Sequence, residues 1–253
     1  MRKFLTSTLA AALMAVAVPA LASEGPKLEH QTWAWNGPFG QYDKAQLRRG
    51  FQVFREVCSN CHSMKLVAYR NLEYLGFSDD EVKAIAAEKQ VQDGPNDQGD
   101  MYQRPARPSD RIVPPFPNDQ AARASNNGAL PPDLSLMNKA RAGGPDYVYG
   151  ILTSFKDAPP EGVTIPDGMY YNETFPGHAI AMPPPIADDL VTYADGTKAT
   201  KEQIAKDTVA FLNWAAEPEL DQRHSLGIKA LIFVFVMTVL FYALKRKIWA
   251  DVH

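Results

Sequence analysis

Cysteine is almost missing from this 253-residue chain, which holds two, Cys58 and Cys61. That scarcity excludes a disulfide-stapled scaffold and a four-cysteine zinc site. A surplus of positive charge is missing as well. Lys and Arg total 26 against 29 Asp and Glu, a formal net charge of −3, which argues against a nucleic-acid surface. No internal repeat is evident. Long apolar runs are confined to the two ends of the chain.

The first of these runs, Leu9 to Val18, follows Arg2 and Lys3 and precedes Ala20-Leu21-Ala22. This is the pattern of a cleavable secretory signal, and the run is short for an uncleaved anchor. The second, Leu226 to Leu244, is long enough to cross a bilayer as a helix. It is apolar on all sides, unlike a one-faced core helix. Lys229 sits near its start and can snorkel to the interface. Lys245-Arg246-Lys247 follow at once and orient that end toward the cytoplasm, with Trp249 as an interfacial anchor. The predicted organisation is a signal peptide over 1–22, an outer domain over 23–225, a transmembrane helix over 226–244 and a cytoplasmic tail over 245–253. The protein is thereby expected in the cell inner membrane as a single-pass chain, with its large domain on the periplasmic side. Six of the cations and one of the anions lie in the leader, anchor and tail, so the outer domain carries −8. An acidic, tethered domain suits a basic soluble partner drawn in by long-range attraction, and it also suits ordinary solubility.

The two cysteines stand in Cys58-Ser59-Asn60-Cys61-His62, a C-x-x-C-H. Two thiols at this spacing can each form a thioether to one haem c, and the adjacent histidine can supply an axial nitrogen. A redox dithiol would need a βαβ setting that the flanks do not offer. Half a zinc site would need further ligands, and the nearest other histidines are His30 and His178.

The motif closes a predicted amphipathic helix. Asp43 caps it with Gln46 as reciprocal partner. Leu47, Phe51, Phe54 and Cys58 form its apolar stripe, with Arg48, Arg49, Arg55 and Glu56 on the other side. A second helix begins at a capping box of Thr200 and Gln203, buries Ile204, Thr208, Phe211, Leu212 and Ala215, and ends before Pro218. An N-terminal helix ending in C-x-x-C-H and crossed by a C-terminal helix resembles the frame of class I cytochromes c. Between them, Ser78 and Glu81 cap a short helix through Val82, Ile85 and Ala86. A helical turn or two runs from Asp146 to Leu152. Residues 91–120 read as a polar surface loop with a turn at Gly94-Pro95-Asn96-Asp97, and short strands are expected near Val191-Thr192-Tyr193. With 20 prolines, the predicted fold class is mainly α with long loops.

A haem iron needs a second axial ligand or an open position. Met1 and Met14 leave with the signal, Met237 lies in the apolar run, and Met64 is too close to His62. Met101, Met137, Met169 and Met182 remain. Met182 precedes Pro183-Pro184-Pro185, which stiffen a loop, and follows Phe175-Pro176-Gly177, an aromatic wall and a turn. His178 competes with it on local grounds. With both axial positions closed the chain is a one-electron carrier. With one open it is a haem sensor or a peroxidase.

Longer stretches carry a family resemblance. Arg48-Arg49-Gly50-Phe51-Gln52-Val53, Ala121-Ala122-Arg123-Ala124, Asn126-Asn127-Gly128-Ala129-Leu130-Pro131-Pro132-Asp133-Leu134-Ser135, Ala140 to Tyr147, Tyr170-Tyr171-Asn172, Phe175 to Met182 and Phe211 to Pro218 occur in that order. The chain resembles the cytochrome c1 family, the haem subunits of cytochrome bc1 complexes, over essentially its whole length. The resemblance implies thioethers at Cys58 and Cys61 and axial ligation by His62 and Met182. It implies pocket-lining roles for Asn126, Pro131 and Pro132, with Phe175 in the same wall, and places Arg141 and Tyr147 near the haem propionates. The implied partners are cytochrome b, a Rieske iron–sulfur protein as electron donor and cytochrome c as acceptor, in a membrane complex that is dimeric. An anchored cytochrome serving a terminal oxidase is the competing assignment. Some bacterial relatives staple the loop before the axial Met with an extra cysteine pair. Here that loop, residues 155–185, is expected to depend on prolines and packing.

Overall fold

The computed structural model describes residues 28–251. The predicted leader lies outside the described residues. Helix α1 spans Lys44–Glu56 and starts where Asp43 accepts hydrogen bonds from the Ala45 and Gln46 amides. The reciprocal Gln46 bond is not formed, so the cap is one-sided. Leu47, Phe51 and Phe54 are buried along the expected stripe. Chain reversals follow through a 3₁₀ turn at Cys58–Asn60 and a longer one at Tyr69–Leu75. Helix α2, Asp79–Ala87, carries the full capping box of Ser78 and Glu81.

Residues 90–105 are not simply loop. Strands β1 (Gln90–Asp93) and β2 (Tyr102–Pro105) pair antiparallel, with Gln90 opposite Pro105. Alternating hydrophobics are lacking there, which hides a hairpin from periodicity. Its connection is closed by Asn96, whose Oδ1 accepts from the Gln98 and Asp100 amides. Helix α3, Asp119–Ser125, is capped by Asn118 and was also hidden by its polar sequence. Helices α4 (Met137–Ala140), α5 (Gly144–Thr153) and α6 (Lys201–Ala216) complete the domain that precedes the long C-terminal helix. The short strands expected at 191–193 do not form. A two-residue ladder instead joins β3 (Tyr170–Tyr171) to β4 (Ala179–Ile180).

Helix α6 is the axis of the core, packed against α1, α4 and α5. It meets α1 at Gly50, where a Cβ would stand 2.0 Å from the Asp207 carbonyl oxygen and 2.7 Å from Phe211 Cβ. Only glycine permits that approach. Phe211 fills the space on either side, with ring centroids 5.6 Å from Phe51 and 5.5 Å from Phe54. Thr200 caps α6 through the Gln203 amide, but the Gln203 side chain turns inward to Asp207 at 2.8 Å. Asp207 is wholly buried and receives Arg49 through Nε at 2.9 Å and through a second guanidinium nitrogen at 3.2 Å. Arg49 is therefore not on the solvent face of α1. A buried carboxylate needs a charged, forked partner, and the helix crossing supplies one.

Helix α7, Leu220–Ile248, is 29 residues long, and its apolar window has mean hydropathy 2.3 with none of it buried. At 1.5 Å per residue it spans about 43 Å, more than a bilayer core of about 30 Å. Its base is fixed to the domain. Asp221 accepts from the Tyr42 amide at 3.1 Å and from the Tyr74 hydroxyl, and His224 Nδ1 contacts the Gly40 carbonyl oxygen at 2.8 Å. Glu217, in the three-residue link from α6, pairs with Lys139 at 2.8 Å and Arg223 at 2.9 Å.

Candidate haem site

The C-x-x-C-H is shaped by its own backbone. The Cys61 and His62 amides both donate to the Cys58 carbonyl oxygen, at 3.2 and 2.9 Å. Ser59 Oγ and Asn60 Nδ2 donate back to the Arg55 and Glu56 carbonyls at the end of α1. Cys58 therefore leaves the helix stripe and sits in the 3₁₀ turn, half-buried, with Cys61 exposed and both thiols unpaired. Burial pushes the Cys58 thiol up to about 12, unlike the low values of reactive redox thiols.

The segment 131–135 lies along 62–66. His62 Nδ1 donates to the Pro132 carbonyl oxygen at 2.8 Å. This bond assigns the ring proton to Nδ1 and leaves Nε2 as a bare lone pair, the arrangement of a metal-ligating histidine. Asp133 Oδ2 accepts from Ser63 Oγ at 2.7 Å and from the Lys65 amide at 2.8 Å, while Oδ1 accepts from the Ser135 amide at 2.9 Å. The Leu134 amide donates to the Ser63 carbonyl oxygen at 2.8 Å, and the Leu66 amide to Ser135 Oγ at 3.0 Å. Burial opposes the Asp133 charge, but these donors outweigh it and hold the carboxyl below its ordinary range. Asp133, Ser135 and Ser63 were not singled out in the sequence. Asp-x-Ser after two prolines is a turn-forming pattern, but its partner strip 70 residues away leaves no local mark.

Asn126 ends α3, with Nδ2 on the Ala122 carbonyl oxygen at 2.7 Å, and leads into Pro131 and Pro132. Arg141 is exposed beside Tyr147 and has no carboxylate partner among the described residues. Burial raises the Tyr147 phenol, and the Arg141 charge acts against that rise.

The Met182 side hangs on one amide. Asn172 is fully buried. Its Oδ1 accepts from Ser154 Oγ and from the Thr174 and Phe175 amides, each at 3.0 Å, and its Nδ2 donates to the Ile151 carbonyl oxygen at 2.9 Å. Phe175-Pro176-Gly177-His178 forms a turn closed by the His178 amide on the Phe175 carbonyl at 2.8 Å, with Gly177 at φ 77°. The ladder from β3 to β4 then delivers the chain to a half-buried Met182. His178 is turned to its own loop: Nδ1 is 3.2 Å from the Asn172 carbonyl oxygen and the ring packs on Tyr171. Prolines and apolar packing are thus not the whole source of order in 155–185. Asn172 takes the part expected of them.

A cavity of about 400 Å³ lies beside α1, between Phe51, Phe54, Tyr69, Ile85 and Ile112. None of the ten sequence-nominated residues lines it. The donor set they offer is two unpaired thiols, one imidazole with a free Nε2, a thioether and a guanidinium with no carboxylate partner among the described residues. That set fits a covalently held, six-coordinate haem with acidic propionates.

Comparison with known proteins agrees. The profile of the Cytochrome C1 family matches residues 33–252. Cytochrome c1 of Rhodospirillum rubrum is 55% identical over 95% of this chain and 94% of its own length. The mitochondrial cytochrome c1 haem protein of Saccharomyces cerevisiae is 48% identical over 91% of this chain and 75% of its own. A Bradyrhizobium diazoefficiens protein named cytochrome b/c1 is 46% identical over 92% of this chain and 37% of its own length. One covalent haem c and a single C-terminal membrane anchor go with that match, and the chain belongs to the cytochrome c1 family, the haem-bearing electron-transfer subunits of bc1 complexes.

Proposed function

We propose that this subunit receives single electrons from a Rieske iron–sulfur protein and passes them to a cytochrome c on the periplasmic side of the inner membrane. The observation that carries the reading is the His62 imidazole, its Nδ1 held on the Pro132 carbonyl beside two free thiols. When bound, haem c supplies a one-electron ferric/ferrous couple. Cys58 and Cys61 would hold it through thioethers, and His62 Nε2 and Met182 sulfur would hold its iron. With both of these bound, oxygen, peroxide and carbon monoxide would be excluded. Asn126, Pro131, Pro132 and Phe175 would line the pocket, and Arg141 with Tyr147 would serve the propionates, where a charge-assisted bond offsets burial.

The assigned organisation is a leader over 1–22, the haem domain over 23–225, the membrane segment 226–244 within α7, and a cytoplasmic tail over 245–253. A relative named cytochrome b/c1 supports close association with cytochrome b, within a dimeric complex. The charge of −8 on the haem domain favours a basic cytochrome c, so reduction of that partner should slow as ionic strength rises.

Replacing Met182 by Leu in the purified complex tests the ligand assignment. The midpoint potential should fall by on the order of 0.1 V, within the roughly 0.8 V range that axial ligands command, and the reduced haem should bind carbon monoxide. An unchanged potential would remove Met182 from the site. Carbon monoxide binding by the native protein would favour the five-coordinate reading instead.

A further inference from the structure

The turn at residues 36–40 presents the most exposed large apolar side chain among the described residues outside the anchor. Phe39 is 79% exposed. It is not a frayed end. Trp33 and Trp35 are buried and stacked at 5.0 Å beneath the turn. The Asn36 amide donates to the Trp33 carbonyl oxygen, Gly40 to Gly37 and Gln41 to Ala34, at 3.1 to 3.2 Å. A Cβ at Gly40 would stand 2.3 Å from the Trp35 backbone, so the turn admits only glycine there. A rigid frame thus holds a phenyl ring in the open.

The position of that frame gives it a meaning. The Gly40 carbonyl oxygen is bonded to His224 of α7. His224 precedes Leu226, the first residue of the apolar run, by two positions. At 1.5 Å per residue that is about 3 Å along the helix. The headgroup zone on each side of a bilayer is roughly 5–7 Å deep. Residue 39 is one position from the bonded carbonyl, which keeps its ring within side-chain reach of that zone. No residue from Gln31 to Tyr42 is charged, so nothing in the segment resists that setting. Lys229, three positions past Leu226 on α7, can snorkel back to lipid phosphates at that boundary.

We propose that the turn 37–40 is a second membrane contact, with Phe39 seated in the lipid interface beside the base of α7. Together with the Asp221 and His224 bonds it makes a two-point footing. One helix fixes depth, and a second point beside it fixes the tilt of the haem domain over the membrane. The inference rests on α7 as the membrane anchor.

A spin label tests it. Phe39→Cys is labelled in the whole complex and reconstituted in phosphatidylcholine discs, with the unlabelled native complex as background. Phe235→Cys serves as the buried-in-lipid reference and Met101→Cys as the aqueous one. Collisions with oxygen and with a water-soluble nickel chelate are read by power saturation. An unchanged haem spectrum shows that the variant is folded, as expected for so exposed a side chain. The label at 39 should collide with oxygen several-fold more than the Met101→Cys label does, and with nickel several-fold less. Nickel collisions equal to those at 101 would overturn the proposal. So would weak collisions with both probes, which would seat the ring against a partner protein. Nickel-dominated collisions at 235 would overturn the anchor itself, and the footing with it.

Discussion

The two loops of the proposed haem site, one carrying His62 and the other Met182, are built differently. On the His62 side, two strips of chain are laid together and tied by several independent bonds: two backbone-accepted contacts at Pro132 and Ser63, and three donors shared by Asp133. On the Met182 side, one buried amide, Asn172, collects three donors and gives one bond of its own. Both are irregular loops without a disulfide. A buried backbone amide must be paired whether or not it belongs to a helix, and a polar side chain does that where no ladder can. The difference is redundancy. The His62 side can lose one side chain and keep its register. The Met182 side has one principal node, Asn172, with Ser154 Oγ on Thr174 and a two-residue ladder as its lesser ties.

Asn172→Ala should therefore have the larger effect. It leaves the Phe175 amide without its acceptor and takes the side-chain donor from the Ile151 carbonyl, while the Thr174 amide and the Ser154 hydroxyl keep their bonds to one another's residue, at a cost of about 3 kcal/mol. Loosening of the loop should appear as partial loss of the thioether–iron absorption band and as carbon monoxide binding, with the His62 side intact. If the band survives unchanged, the principal-node account fails. Asp133→Ala should cost less, about 2 kcal/mol, because the His62–Pro132 and Leu134–Ser63 bonds persist. Thermal loss of the haem spectrum should come earlier, with the midpoint potential nearly constant. A larger potential shift than in Asn172→Ala would reverse the comparison.

The smallest effect belongs to Asp195, on the stretch that returns from the Met182 loop to α6. The Thr197 amide first, and Arg49 second, hold its carboxyl at about 2. A depressed carboxylate stabilises the fold fully above its unfolded value near 4 and loses that contribution as pH falls toward 2. In Asp195→Asn, thermal stability should change less steeply between about pH 4 and pH 2 than in the native protein. Asp195 is well exposed, so solvent screening keeps the difference slight.

What was legible followed regularity. The stripes of α1 and α6, the capping roles of Asp43 and Thr200 (but not the reciprocal bonds expected of Gln46 and Gln203) and the all-apolar run of α7 have periods or lengths that a short window records. The C-x-x-C-H was legible because its chemistry is compact, whereas Met182 was separated from His178 only by the family resemblance. Arg49 was misplaced because a period of 3.6 says which face a residue occupies, but not that a buried carboxylate awaits it on another helix. The hairpin at 90–105 has no alternation to reveal it. Asn172 was noted only within a family match, since an asparagine that organises a loop looks locally like any turn asparagine.

By itself, then, the sequence determined which groups can hold a haem, where the chain enters the membrane and which faces of two helices are apolar. Those properties reside in residue type and short spacing. Tertiary structure alone decided that Pro132 would fix the His62 tautomer, that Asp207 would receive Arg49 at the Gly50 crossing, and that the Met182 loop would hang from Asn172. Each of these joins groups 18 to 158 positions apart. A buried polar group takes whichever partner the fold brings within 3 Å, and that choice leaves no trace along the chain.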